Sequence, residues 1–524
     1  MHPLAKLDQQ FVWHPFTQMR DWLKREPVVI VAGKGAVLRD VYGREYLDAN
    51  SSIWTNLHGH NHPKINTAIQ RQLKKVAHSS ALGVANEPAS LLAEQLIQAT
   101  NAGIHVSRFT FHESCAKPPR KLQIANRKLE KVFFSDDGST ALEVALKLAY
   151  EFTRRTHAKP VGRASSRAAE PHYLSLEGAY HGDTVGAVSL GHIDLFHKSY
   201  SGLLFQTDKV MSPYCYRCPF NRAKPERADA REYRRCHWEC VSLVEKKFES
   251  QKRKGNTYAA FVFEPLIQGA AGMIPQPAGW LRQTAEIARG QGALLIADEV
   301  MTGFGRVGQA SCLSPASEQV RDRLEACPTL FACQHENVQP DFLCLAKGLT
   351  GGYLPMAATL TTQKVFDAFL GEYEEFKAFF HGHSYTANQL GAAAALASLD
   401  ILQGKQSICA RQNLDKNLRD ELQTLWALPN VGDIRQVGLI AGIELVRDWR
   451  TRKPFALRER VGIHVCEAMA RHGVLTRPVG NVIVLMPPYC TTPAQAQKMV
   501  RAVSDSVREV FGRRQVVTTR ELIP

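Results

Sequence analysis

A chain of 524 residues, 44% hydrophobic and 22% charged, can bury a large core and a second domain, and this composition excludes a disordered or fibrous protein. Its formal charge of +15 invites a nucleic-acid reading, but the basic residues are dispersed or gathered in apparent insertions, with no basic-aromatic repeat, so no nucleic-acid partner is expected. The start, Met1-His2-Pro3-Leu4-Ala5-Lys6, lacks the apolar segment of a secretory signal, no run approaches a membrane span, and the cysteines are expected to be reduced, in a cytoplasmic protein.

In chain order, Val28–Ala32 and Ala36–Asp40 flank Gly33-Lys34-Gly35, a hairpin signal, and Tyr42–Asp48 suits a third strand. Pro63 to Ala99 is expected to be helical, with Ile65, Ile69, Leu73 and Val76 at helical spacing. The stretch 112–131 is basic and broken by Pro118-Pro119, as a surface insertion would be. Val132-Phe133-Phe134 then runs through Gly138-Ser139-Thr140 into a helical segment from Ala141. Amides at a helix N-terminus beside small hydroxyls can seat a phosphate, although Ser and Thr also serve as ordinary caps. A second insertion, 158–170, offers almost no apolar residue to bury and is expected to be a mobile loop.

Gly178-Ala179-Tyr180-His181-Gly182 sets two rings between glycines, as a stacking platform or a core pair would. Cys215, Cys218, Cys236 and Cys240 have spacings that could close a zinc site. Phe261-Val262-Phe263-Glu264 and Ala293–Asp298 are apolar runs of buried-strand type that end in acids. Acids at the carboxyl end of a strand in an open α/β sheet face the crevice where ligands bind; alternatively, Asp298 caps the next turn. After a third expected insertion, 311–327, the run Asp341–Ala346 delivers Lys347 to the glycine-rich turn Gly348-Leu349-Thr350-Gly351-Gly352. A lysine against apolar neighbours loses hydration of its charged form and becomes a nucleophile able to form a Schiff base. Met356–Leu360 continues the sheet, Ala392–Leu402 reads as an alanine-rich helix, and Val437–Leu445 as a strand.

Four of these stretches, Gly138-Ser139-Thr140, Tyr180-His181-Gly182, Asp298-Glu299-Val300 and Ala346-Lys347-Gly348, resemble in order and spacing the class III, fold-type I, pyridoxal-phosphate-dependent aminotransferases. Trp13-His14-Pro15-Phe16, Ser51-Ser52-Ile53-Trp54, Leu57-His58-Gly59-His60, His381-Gly382-His383-Ser384 and Arg477-Pro478 narrow the resemblance to the adenosylmethionine-8-amino-7-oxononanoate aminotransferases. The resemblance implies an α/β fold: a large domain, 63–400, with a mostly parallel central sheet flanked by helices, and a smaller α/β domain from the chain ends, 1–62 and 401–524. It implies that Gly138, Ser139, Tyr180, His181, Asp298, Val300 and Lys347 hold pyridoxal phosphate, with His383 and Ser384 supplied by the partner of a homodimer. Phe16, Trp54, Tyr180, Lys347, Gly382 and Arg477 are the implied substrate residues, Asp298 meeting the ring nitrogen and Arg477 a substrate carboxylate.

Lys347 is the implied catalytic residue of a ping-pong transfer through pyridoxamine phosphate that converts 8-amino-7-oxononanoate to 7,8-diaminononanoate for biotin, with S-adenosylmethionine or lysine as donor. Phe16 stands where many relatives carry tyrosine, which leaves the donor open, and Ser384 where threonine is frequent. No metal is expected, since similar Cys-rich loops occur in relatives whose chemistry needs none. One rival is a class III enzyme acting on another ω-amino acid or a diamine; Trp13-His14-Pro15 and Arg477-Pro478 argue against it. The other, a cofactor-binding protein without catalysis, sits poorly with the presence of both Lys347 and Asp298.

Overall fold

Two residues, Gly35 and Ala36, turn the hairpin: Ile30–Lys34 (β1) pairs antiparallel with Val37–Asp40 (β2), which pairs in turn with Glu45–Asp48 (β3). Tyr42-Gly43-Arg44, expected inside the third strand, forms the approach to it, with the Asp40 carboxylate accepting the amides of Tyr42 and Arg44. Val474–Leu475 joins the free edge of β3 in parallel, so the two ends of the chain share one sheet. The computed structural model describes residues 1–102, 128–157, 171–223, 234–308 and 329–520. The expected insertions at 158–170 and 311–327 lie outside the described residues, as does that at 112–131 except for its last four, of which Leu129–Lys131 belong to a strand rather than an insertion.

That strand, Leu129–Ser135 (β4), opens a seven-stranded sheet with His172–Leu176 (β5), Asp208–Val210 (β6), Tyr258–Phe263 (β7), Leu294–Asp298 (β8), Phe342–Leu345 (β9) and Ala357–Thr362 (β10), in the order β4-β10-β9-β8-β7-β5-β6. Only β10 runs antiparallel to its neighbours β9 and β4. The period of two sorts each apolar run onto two faces. Leu294 and Ile296, Phe342 and Cys344, and Ala260 and Val262 pack with Ala141, Leu142, Ala145 and Phe152 of the helix Gly138–His157. Leu295 and Ala297, Leu343 and Leu345, and Phe261 and Phe263 face the other way, toward Leu92 and Leu96 of the helix Glu87–Asn101 and Trp280 and Leu281 of Trp280–Gly290. Both faces are covered, which is why these strands carry no polar stripe. Asp298 continues the alternation onto the face of the helix Gly138–His157, so its carboxylate emerges beside that helix's N-terminus.

The expected helix from Pro63 to Ala99 is two, Pro63–Lys75 and Glu87–Asn101, the second opened by the Asn86 side chain accepting the Ala89 amide and by Pro88 in its first turn. The expected strand Val437–Leu445 is the turn of a hairpin: Val431–Val437 and Ile440–Asp448 pair antiparallel about Gly438, whose φ of 57° suits glycine. Val482–Leu485 extends that sheet, and a separate core gathers around it from Leu418, Leu445, Val465, Met469 and Val503.

Candidate active site

Lys347 leaves the end of β9 at a left-handed φ of 41° and opens a short 3-10 turn, Lys347–Thr350. The next glycines let the turn press on the Trp54–Leu57 segment: a Cβ on Gly352 would lie 2.8 Å from the Asn56 backbone. The Lys347 Nζ therefore sits over the Trp54 indole, 4.7 Å from the ring centre. Burial pushes the ammonium's pKa down, against the opposing pull of Asp298 and Glu264.

Asp298 lines the same cavity, of about 1580 Å³. Its Oδ2 lies 2.7 Å from His181 Nδ1, and its Oδ1 accepts the Val300 amide at 3.0 Å. The carboxylate is thus fixed in orientation, and the capping alternative describes only one of its oxygens. His181 is buried, and its Nε2 has no hydrogen-bond partner among the described residues. Glu264, at the end of β7, is also buried in the cavity wall; its oxygens accept the amides of Gly269 at 2.8 Å and Tyr180 at 3.4 Å, and burial raises its carboxyl to about 7.

At the helix Gly138–His157 the cap is Asp137, whose Oδ1 accepts the Thr140 amide at 2.9 Å. Thr140 folds back, its hydroxyl accepting the Asp137 amide. Gly138 and Ser139, in the first turn, have amides with no intrahelical acceptor, and both line the cavity. Val300 closes over this end: a Cβ on Gly138 would meet its Cγ1 at 2.7 Å. Tyr180 lines the cavity too, its hydroxyl donating to Asp183 Oδ2 at 2.7 Å.

Trp54 reaches the cavity from an unusual turn. Ser51, Ser52, Ile53 and Trp54 all have φ between 44° and 68°, one turn of left-handed helix closed by Trp54 N–H to Asn50 O at 2.8 Å and Thr55 N–H to Ser51 O at 3.0 Å. None of the four is glycine, so the turn costs roughly 1–2 kcal/mol per residue, and the indole Nε1 is buried with no hydrogen-bond partner among the described residues. Phe16, φ 48°, packs edge-on to Phe196 with ring centres 5.2 Å apart. Arg477 is exposed, forms no ion pair among the described residues, and donates from Nη2 to the Phe16 carbonyl oxygen at 3.4 Å.

Ten expected residues, Phe16, Trp54, Gly138, Ser139, Tyr180, His181, Asp298, Val300, Lys347 and Arg477, line one cavity. Gly382, His383 and Ser384 do not line it: His383 Nδ1 lies 3.4 Å from Asp136 Oδ2, and the Ser384 carbonyl meets His78. Glu264, which the resemblance sets near the cofactor without a named role, lines the same cavity, and like Asp298 it stands at the end of a strand. Asn50, Tyr353 and Arg460 also line the cavity and carried no sequence signal. No group of three or more His, Cys, Asp or Glu among the described residues is placed to hold a metal ion.

Pyridoxal phosphate fits these residues. A fixed, buried carboxylate faces the cavity, a helix N-terminus with a serine hydroxyl opens into it, the Tyr180 ring and the Val300 methyls supply flat walls, and the Lys347 amine points in.

The chain matches the description "Aminotransferase class-III" over residues 19–318 and 326–507. It is 42% identical over 509 residues to the adenosylmethionine-8-amino-7-oxononanoate aminotransferase of Geobacter sulfurreducens, covering 97% of this chain and 98% of that one. Among solved structures, the enzyme of the same name from Methanocaldococcus jannaschii superposes with a TM-score of 0.79 at 36% identity, covering 97% and 98%. The omega transaminase of Pseudomonas jessenii in complex with PMP gives 0.79 at 25% identity, covering 97% and 98%. With its mixed sheet and the Lys347 amine in the cavity at the strand ends, the chain belongs to the class III aminotransferases, of fold-type I, and is a pyridoxal-phosphate-dependent transaminase.

Proposed function

We propose that this enzyme transfers an amino group from S-adenosylmethionine to the keto carbon of 8-amino-7-oxononanoate, giving 7,8-diaminononanoate in biotin biosynthesis, with lysine as the alternative donor. The observation that carries the reading is the end-to-end likeness, at 42% identity, to a relative named for that reaction and for that donor. A cavity of about 1580 Å³ leaves room for a large donor beside the cofactor.

When bound, pyridoxal phosphate supplies an aldehyde and an electron-accepting ring that carries the amino group from donor to acceptor. Asp298, oriented by His181 and the Val300 amide, keeps a proton on the ring nitrogen. Gly138 and Ser139 would seat the cofactor's phosphate, and Tyr180 and Val300 would hold its ring. Lys347, whose desolvated amine gives up its proton more readily than a free lysine, moves the proton from the donor's reacting carbon. Arg477 turns its planar fork to the acceptor carboxylate, leaving the weak contact to Phe16, while Trp54 lines the path of the aliphatic chain.

The same reading includes a homodimer with shared active sites, in which Gly382, His383 and Ser384 serve the partner's cavity. It is supported by their position outside the cavity of their own chain and by exposed Leu82, Val84, Phe380 and Tyr385 around that loop. It also includes a smaller domain from 1–62 and 401–524 beside the large one at 63–400, supported by the pairing of Val474–Leu475 with β3. A cytoplasmic location belongs to it as well, supported by the free thiols of the described cysteines. No helix among the described residues is long and apolar enough to cross a membrane.

The test is turnover of purified protein on 8-amino-7-oxononanoate, with S-adenosylmethionine and lysine offered separately, against succinic semialdehyde as a competing acceptor. The reading expects the oxononanoate to be preferred; preference for the semialdehyde would transfer the enzyme to the ω-amino-acid group.

A further inference from the structure

The left-handed turn that carries Trp54 contains no glycine, so something outside it must hold it. We propose that Asp48 is a positioning residue for the transamination, clamping the turn Ser51–Trp54 so that the indole stays over Lys347. The Asp48 carboxylate lies at the end of β3, is buried, and spends both oxygens on the turn: Oδ1 accepts the Ser52 amide at 3.0 Å and Oδ2 the Ser52 hydroxyl at 2.8 Å. Ser52 is the second residue of the turn, at φ 48°, and both its amide and its hydroxyl are tied to this one carboxylate.

The carboxylate is itself held. His60 Nε2 lies 2.9 Å from Oδ2, and His60 Nδ1 lies 2.9 Å from the Asn56 side-chain amide. With Nδ1 accepting from that amide, Nε2 carries the proton and donates to Asp48. His60 is fixed in turn by the β1–β2 hairpin, exchanging backbone hydrogen bonds with Gly35 at 3.0 and 2.8 Å. Burial pushes the Asp48 carboxyl up, but the bonds from His60 and Ser52 outweigh it and keep the group below the usual range, so it stays ionised. The Ser51 hydroxyl donates to the Met486 carbonyl at 2.6 Å and fixes the start of the turn, and the Thr55 hydroxyl after it donates to the carbonyl oxygens of Ser51 and Ser52 at 3.3 and 3.0 Å; Asp48 is the carboxylate that holds the residue between. Asp48 does not line the cavity, so it acts through Trp54.

The experiment is a mutant cycle on the holoenzyme with D48N, W54A and D48N/W54A, read as kcat/KM for 8-amino-7-oxononanoate. D48N and W54A are each expected to lose on the order of ten- to a hundredfold, while D48N in the W54A background loses no more than about twofold further, because coupled residues do not add. S52A, which removes only the hydroxyl on Oδ2, runs in the same cycle if D48N does not fold, with a smaller loss that W54A also abolishes. An equal loss in both backgrounds, or wild-type kcat/KM in folded D48N, would overturn the clamp. The proposal rests on the function above only through the substrate used. The Trp54 contribution to emission, taken as the difference from W54F, is expected to shift in D48N without any substrate. Wild-type protein inactive on the oxononanoate would refute the function, while an unchanged emission difference would refute the clamp.

Discussion

Substituting Gly138 by alanine tests the cofactor seat at its tightest point. The new Cβ would lie 2.7 Å from Val300 Cγ1 and 3.1 Å from Cγ2, well inside ordinary contact. Val300 cannot retreat along its backbone, because its amide is bonded to Asp298 Oδ1. Its β-branched side chain must therefore shift, and the cavity it lines is open to it. Overpacking of this kind costs about 1–3 kcal/mol. Charged to the bound state, it weakens cofactor affinity about fivefold to 150-fold, while alanine's better helix propensity protects the stability of the empty protein. The assay is an absorbance titration of pyridoxal phosphate into G138A, V300A and G138A/V300A. Removing the valine methyls should return the double variant to the affinity of V300A. Wild-type affinity in G138A, or a double variant as weak as G138A, would refute the account of this wall.

Lys347→Ala is expected to abolish turnover and the absorbance of lysine-bound cofactor, while circular dichroism stays native; turnover at the wild-type rate would remove Lys347 from the chemistry. Arg477→Ala should raise KM for the oxononanoate about ten- to a hundredfold, the worth of a charge-assisted hydrogen bond of roughly 1.5–3 kcal/mol, with a smaller change in kcat; an unchanged KM would place the carboxylate elsewhere. His58 gives a pH signature. Burial, then His62, Arg411 and Arg306, hold its pKa at about 3, so between about pH 6.5 and 3 the unfolded chain takes up a proton that the folded chain refuses, and stability falls by about 1.4 kcal/mol per unit as pH drops. Urea unfolding at several pH values should show the gap between wild type and H58Q closing at that rate; parallel curves would contradict it.

The central sheet was legible because its strands are covered on both faces: Phe342–Leu345 and 294–297 read as unbroken apolar runs, and the residues just beyond them, Lys347 and Asp298, fall in the crevice by topology. The hairpin was legible from Gly33-Lys34-Gly35, but its turn falls later than that triplet implies: Gly33 and Lys34 pair with Leu38 and Val37 inside the strands, and the chain reverses at Gly35 and Ala36. The break between Lys75 and Glu87 was not, since the periodicity of Ile65, Ile69 and Leu73 says nothing about where a helix stops. Nor was the split at Gly438, where apolar residues on both sides concealed a turn. The site's lysine and Asp298 could be named because strand ends deliver them. The left-handed turn at Ser51–Trp54 could not be read from Ser-Ser-Ile-Trp, which disfavours that conformation; tertiary bonds from Asp48 and Met486 override the local preference.

The central claim is that the Lys347 amine is the group that bonds the cofactor aldehyde. Reduction of the holoenzyme with borohydride, followed by digestion and mass spectrometry, reads that bond directly. The account predicts one pyridoxyl adduct, on the peptide containing Lys347; an adduct on any other lysine, with Lys347 unmodified, would contradict it.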